Sequence, residues 1–525
     1  MAFAAKAVID KAAKDRDLAP GDTYLFNDPY DGGTHLNDIR LVRPLMRGGK
    51  VFAWLASVAH WLDVGGNVPG NFNAKATESF QEGFRVPPVK LMRGGVLQQD
   101  IVDILAANSR VPQSNWGDLN GQLNALDLGE RRLHDLLDAY GDETIRSALS
   151  ALSARAETLM RANIEALPDG TYSFEDFLDN DGVSDAPLRI ALDLGVQGDR
   201  LRLDFSRSAP PCEGPLNIAR STTIACCYVA LKHLFTDVPA NAGCLEPIEF
   251  VVPETTLLGV SAPRPVGGYT ETILRVIDVI FGAFAKAAPE RANGSPFATI
   301  NALSLAGWRT HGRKWVMFCF FGGGLGGNPE GDGLNHSNNP ISTAIIPPVE
   351  ILESLYPVMF TQWALRPDSG GPGRHRGGLG AIYEIEVLAD GGAEVFLLGE
   401  RGKYPPFGVN GGKAARSIDS STTRRAARLR RRSFPRQPTC AFAAGRRCAW
   451  RHRAAAASAI LARAIPAASR ATCGSATYRA RWRGAITRSS CARTARPTWQ
   501  RRQSSARPHD GFRNYHRHRR RRHVH

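Results

Sequence analysis

Two apolar runs, residues 39–46 (IRLVRPLM) and 51–60 (VFAWLASVAH), flank Gly48-Gly49 and read as adjacent β-strands joined by a tight glycine turn. Strand side chains alternate between faces, so a slip of one residue in such a hairpin moves every side chain to the other face. Here the register decides the chemistry. A two-residue loop pairs position 47 with 50 and sets His60 opposite Asn37. A three-residue loop, or a bulge, sets His60 opposite Asp38 on the same face, with His35 three residues before Asp38. Two imidazoles and one carboxylate are a facial ligand set for a divalent metal (manganese, zinc or iron) that leaves positions open for water or substrate. The metal reading requires the odd loop or the bulge; otherwise these are histidines hydrogen-bonded at strand ends. Gly32 and Gly33, just before His35, allow close backbone approach and are assigned to substrate binding. Asp28, Asp31 and Asp63 are close in sequence, and Asp63 is the candidate to orient a water or accept its proton.

The rest of the chain reads as an α+β protein with mixed and antiparallel sheets and packed helices. Residues 1–168 hold the hairpin and a helical region, with helices expected over 1–16, 98–108, 115–140 and 142–167. Glu78 and Glu82, four apart, would share the face of a helix over 77–83 and support the site or face substrate. Residues 169–412 are strand-rich, with helices at 221–235 and 269–287; Glu271 and Arg275 are spaced for an i,i+4 ion pair. Gly322, Gly324 and Gly327 fit a dinucleotide-loop spacing, but no helix-forming stretch follows, so that fingerprint fails; His336 in the same loop could act in a site. The PDSGGP of residues 367–372 lacks the surroundings of a serine-protease nucleophile. No Walker A sequence occurs, so any need for ATP must be met by another chain.

NDPYDGGTHLND, AHWLDVGG, ESFQEGFRVPPVKL and GDLNGQLNALDLGERRL resemble the hydantoinase B family, from about Leu18 to Gly412. That family comprises the partner subunits of ATP-dependent hydantoinases and 5-oxoprolinases, and the large subunits of acetone and acetophenone carboxylases. The resemblance implies metal ligation by His35, Asp38 and His60, with Asp63 in the second matching segment. It also implies a hydantoinase A-like, ATP-binding partner subunit and a small cyclic amide as substrate. The alternative within the family is a carboxylase large subunit. Family members carry further residues before the LAPGD turn, so the chain is expected to be truncated at its start.

The net charge of +16 is an uneven average. From Lys413 onward arginine is the commonest residue and only Asp419 and Asp510 are acidic, while the body before it is net acidic. Residues 413–525 are therefore expected to be a disordered basic tail, read as the product of a shifted coding frame. A nucleic-acid-binding role for it is the reading from another class, and the less favoured one. No cysteine pair has CxxC spacing, and neither a signal peptide nor a membrane span is evident, which suits reduced thiols in the cytoplasm.

Overall fold

Helix α1 (Ala2–Asp15) is alanine-rich, with a buried stripe of Ala4, Val8 and Ala12 and Lys6–Asp10 and Lys11–Asp15 ion pairs on its outer face. Strands β1 (Thr23–Phe26), β2 (Asp38–Arg47), β3 (Lys50–His60), β4 (Val89–Arg93) and β5 (Val96–Leu97) form an antiparallel sheet in the order β3-β2-β1-β4-β5. The structure is a computed structural model describing residues 2–424, apart from 310, 311, 313, 343, 344, 390 and 391, together with 427–429, 440–442 and 447–451.

The β2–β3 hairpin has the short loop and the favourable register at once. Arg47 pairs with Lys50 across Gly48-Gly49, whose φ angles of 55° and 74° are those of a turn that suits glycine at both positions. Met46 pairs with Val51, but Leu45 pairs with Ala53, so Phe52 is an extra residue bulged out of the ladder. Beyond it the register is the shifted one, and Asp38 lies directly opposite His60. Even-numbered residues of β2 share the face of His60. α1 covers the far end of that face, where Ala4, Val8 and Ala12 pack with Tyr24, Phe26, Val42 and Ala56. The opposite face, Ile39 and Leu41, packs on α2 (Gln99–Ala107) and α3 (Pro112–Tyr140) through Val102, Leu105, Leu119 and Leu126.

After α4 (Asp142–Glu165), strands β6 (Gly170–Leu178), β7 (Leu188–Gln197), β8 (Arg200–Asp204) and β9 (Ile248–Val251) form a sheet in sequence order, with β8 and β9 parallel. α5 (Arg220–Leu234) and α6 (Tyr269–Ala287) join it around the largest core, which includes Met160, Leu192, Leu194, Ile277 and Phe284. α6 is buried on nearly every side, and its charged residues reflect that. The expected Glu271–Arg275 pair does not form. Arg275 bonds Asp176 at 2.9 Å, Arg401 bonds both Asp176 (2.8 Å) and Asp278, and Glu271 accepts the Ile300 N–H at 3.0 Å. Arg275 also lies 3.6 Å from Asp278 on the same helix, so the buried charges of α6 are met both within it and from other elements.

β10 (Ala302–Trp308) and β11 (Lys314–Phe320) pair with each other, and α7 (Val349–Leu355) precedes β12 (Val358–Leu365), β13 (Ala381–Val387) and β14 (Ala393–Leu398). Beyond Lys413 the described residues include four short strands. β15 (Asp419–Arg424), β16 (Ala427–Leu429), β17 (Cys440–Phe442) and β18 (Arg447–Arg451) complete two sheets, β11-β10-β14-β17 and β12-β13-β18-β15-β16. These pairings satisfy backbone groups that β13 and β14 would otherwise expose at an edge. Residues 452–525, with the nucleic-acid reading that rested on the basic tail, lie outside the described residues.

All the described residues belong to one compact unit, so position 168 marks a passage between sheets within it. The α+β architecture of mixed and antiparallel sheets is as expected from the sequence. No described helix is long and apolar enough to cross a membrane.

Candidate functional site

The loop before β2 is fixed by asparagines. Asn27 donates to the Leu36 carbonyl (2.8 Å) and the Phe84 carbonyl (3.0 Å) while accepting the Val86 N–H, and Asn37 donates to the Trp61 carbonyl at 2.9 Å. Buried amides with such bonds hold an irregular backbone rigidly. The loop delivers His35 beside the hairpin end: its Nδ1 lies 3.0 Å from Asp38 Oδ2, which also accepts the Thr34 hydroxyl. The His35 and His60 ring centroids are 5.0 Å apart. The three expected ligands therefore meet at one end of one hairpin.

Their chemistry suits a cation. A proton on His35 Nδ1, held by Asp38, leaves Nε2 as a free lone pair, and Nε2 is buried without a hydrogen-bond partner. Two imidazoles sharing a cation at bonds of about 2.1 Å would place their centroids roughly 4.5–5 Å apart. Burial, helped by the neighbouring His35 ring, pushes the His60 pKa down to about 4, so His60 is neutral as a ligand must be. Burial works against an ionised Asp38, yet His35, His60 and Arg40 together hold its carboxyl well below the usual range. Among the described residues no three His, Cys, Asp or Glu side chains are already gathered around one point. Ligation by all three would thus require Asp38 to leave His35 Nδ1, since a carboxylate held there cannot reach a cation bound at Nε2 of the same ring.

Aromatic rings wall the site, and they come from distant segments. Tyr269, the first residue of α6, lies 4.7 Å from His35 between centroids. Phe72 is 6.1 Å from His35, Phe318 of β11 stacks on His60 at 5.6 Å, and Phe72 and Phe318 stack on each other at 4.7 Å. His60 is exposed to solvent and packs beside Phe72 and Phe318, so these rings border an accessible side of the site. Sequence reading missed these walls. The alternating phenylalanines of WVMFCFF were the available signal for Phe318, and the turn at 265–268 for Tyr269.

Asp63 requires correction. It is wholly buried, and its carboxylate accepts N–H bonds from Gly65 (3.1 Å), Gly70 (3.2 Å) and Arg110 (3.0 Å) and pairs with the Arg110 guanidinium at 2.9 Å. A carboxylate so occupied organises the glycine-rich loop and is not free to take a proton from water. Asp63→Asn is accordingly expected to cost about 1–3 kcal/mol of stability. Metal content and the shape of the pH–rate profile should stay unchanged; a lost acidic limb in that profile would restore the general-base role.

Neither glycine lines the recess. A Cβ on Gly32 (φ 82°) would lie 2.6 Å from the Phe3 backbone, so this residue lets α1 approach. A Cβ on Gly33 would lie 2.5 Å from the Arg40 guanidinium, and the Gly33 carbonyl accepts the Thr222 hydroxyl at 2.8 Å. The expected substrate-binding role gives way to packing. Glu78 and Glu82 share no helix face either: only a short 3₁₀ turn, Ser79–Gln81, forms between them. Glu78 is exposed, while Glu82 is buried and accepts the N–H groups of Val266 (3.0 Å) and Gly267 (2.6 Å) ahead of α6. His336 belongs to another cluster, with Tyr383 and Trp363.

Burial pushes the Glu82 pKa up to about 8 against the pull of those two amides. Between its ordinary value and about 8 the unfolded chain has released a proton that the folded chain keeps, so stability falls as pH rises through this window. Glu82→Gln should remove that slope. In urea unfolding, the variant's stability relative to wild type should improve by on the order of a few kcal/mol from pH 5 to pH 8; parallel pH dependences would refute the assignment.

Comparison with known proteins gives one consistent relationship. A family model described as Hydantoinase B/oxoprolinase matches residues 1–455, further in both directions than the four motifs. A Pseudomonas sp. (strain NS671) protein, provisionally named as the B component of a D-/L-hydantoinase, is 30% identical over 75% of this chain and 68% of its own. The β subunit of caprolactamase from Pseudomonas jessenii is 31% identical over 76% of this chain and 69% of its own. The crystal structure of ATP-dependent caprolactamase from the same species superposes with a TM-score of 0.79 at 26% identity, covering 87% of this chain and 80% of that one. A nucleotide-free acetone carboxylase shares the fold, with a TM-score of 0.79 at 17% identity over 87% of this chain and 67% of its own.

Proposed function

Since the chain belongs to the hydantoinase B/oxoprolinase family, we propose that it is the B-type subunit of an ATP-dependent cyclic-amide hydrolase, completing ring opening of a lactam or hydantoin that an ATP-binding A-type subunit activates. The observation that carries this reading is the recess itself: His35, Asp38 and His60 at one hairpin end, walled by Tyr269, Phe72 and Phe318. Stacked rings offer flat apolar faces to a small planar ring. An unactivated amide resists hydrolysis because its nitrogen leaves poorly, and phosphorylation of the amide oxygen by the partner would remove that obstacle. Water would then add to the activated carbon and the ring C–N bond would break, the nitrogen leaving as an amine, and a second water would take the phosphoryl group as inorganic phosphate, leaving a free carboxylate. His35, Asp38 and His60 would hold a divalent cation, which would supply Lewis acidity toward the substrate oxygen and a water molecule. In the arrangement seen Asp38 accepts the Thr34 hydroxyl and faces His35 Nδ1, contacts it would exchange for the cation. Tyr269, which burial keeps as a neutral phenol, can donate a hydrogen bond into the recess.

The fold shared with acetone carboxylase keeps a carboxylase large subunit as the second reading. Reconstitution with the A-type subunit tests the two together. Lactam-dependent ATP hydrolysis without added bicarbonate is expected; consumption of ATP that requires bicarbonate and a ketone would replace the hydrolase reading.

A further inference from the structure

Arg40 is the buried charge that the proposed chemistry leaves unused. It lies on β2 two residues from Asp38, hence on the same face of the sheet and one row further in. It is 3% exposed. Its guanidinium lies over the Phe26 ring at 5.7 Å and against the space that Gly33 leaves open. Nη2 donates to Thr34 Oγ1 at 3.3 Å, and Nη1 has no hydrogen-bond partner. Asp38 is bonded to Thr34 and His35 and Asp28 pairs with Arg85 at 3.3 Å, and both carboxylates act on Arg40 only through space. Among the described residues Arg40 forms no ion pair.

A guanidinium stays charged at any working pH, and a buried charge with unmet donors is costly unless an anion answers it. Its fork of N–H groups matches a tetrahedral oxyanion. The N-terminal turn of α6, the positive end of that helix dipole, begins at Tyr269 on the same recess, and the Thr270 hydroxyl in that turn is also buried without a partner. We infer that Arg40, beside the first turn of α6, forms an oxyanion subsite next to the cation ligands that takes a phosphate group. Resting on the cyclic-amide reading above, this phosphate has two sources of the same chemistry: the phosphoryl group on the activated amide oxygen and the inorganic phosphate released from it. The subsite also gives Gly33 its purpose, since any side chain there would displace the guanidinium.

Isothermal titration of the full chain, with and without loaded divalent metal, tests this using inorganic phosphate and phenyl phosphate as probes. Wild type is expected to bind phosphate saturably, and Arg40→Gln to weaken it at least about tenfold with metal content unchanged. Tighter binding of phenyl phosphate assigns the subsite to the activated substrate; tighter binding of inorganic phosphate assigns it to the product. Should Arg40→Gln fail to fold, Arg40→Lys carries the test, because it keeps the charge but loses the fork and should weaken binding severalfold. Wild type that binds neither probe, or a variant with undiminished affinity, overturns the subsite. These readouts need neither lactam nor partner, so a failed hydrolase assay with intact phosphate binding would count against the cyclic-amide reading alone.

Discussion

His35→Ala is expected to abolish stoichiometric divalent-metal binding and, in the reconstituted complex, to lower lactam turnover by more than about 100-fold, since even groups that merely orient a ligand cost 10–100-fold. The stability change should be small by comparison. His35 Nε2 has no partner to lose, and removing an unsatisfied buried group relieves a cost rather than adding one. What goes is the ring contacts with Tyr269, His60 and Phe72 and the bond to Asp38, so the melting temperature should fall by a few degrees. Metal analysis after chelation and reloading, beside a thermal melt, separates the two effects. A variant that melts much lower but keeps its metal and turnover would make His35 a packing residue.

Deletion of Phe52 should spare metal binding, although it removes the bulge. Phe52 is the extra residue of β3, and without it Met46–Val51 is followed directly by Leu45–Ala53, so the pairs beyond keep their partners. His60 would still oppose Asp38 on the same face. Phe52→Ala is the control. It keeps the bulge and empties a site packed against Leu45 and Leu137, at a cost of about 3–5 kcal/mol. The expected pattern is metal retained in both variants; metal lost on deletion alone would show that the bulge itself, and not only the register beyond it, shapes the site.

The hairpin was legible because alternation and paired glycines are local signals. The bulge was legible only as a condition, since nothing in VFAWLASVAH marks Phe52 as the residue to be extruded. That choice follows from packing of Phe52 with Leu45 and Leu137. α6 was bounded correctly at 269–287, yet its Glu271–Arg275 pair was misjudged, because spacing along a helix cannot reveal Asp176 and Arg401 waiting on other elements. Asp63 failed for the same reason: Arg110, 47 positions on, claims its carboxylate. His35, Asp38 and His60 lie within 26 residues and could be found together. Phe72, Phe318 and Tyr269 are brought to them by tertiary contacts alone.

Diffraction data collected at the absorption edge of the metal bound to the purified chain would test the convergence of these side chains most directly. The expected result is a single anomalous peak within about 2.0–2.2 Å of His35 Nε2, an Asp38 carboxylate oxygen and a His60 ring nitrogen. A peak bound elsewhere, or a metal-saturated chain with no peak between those three groups, would contradict it.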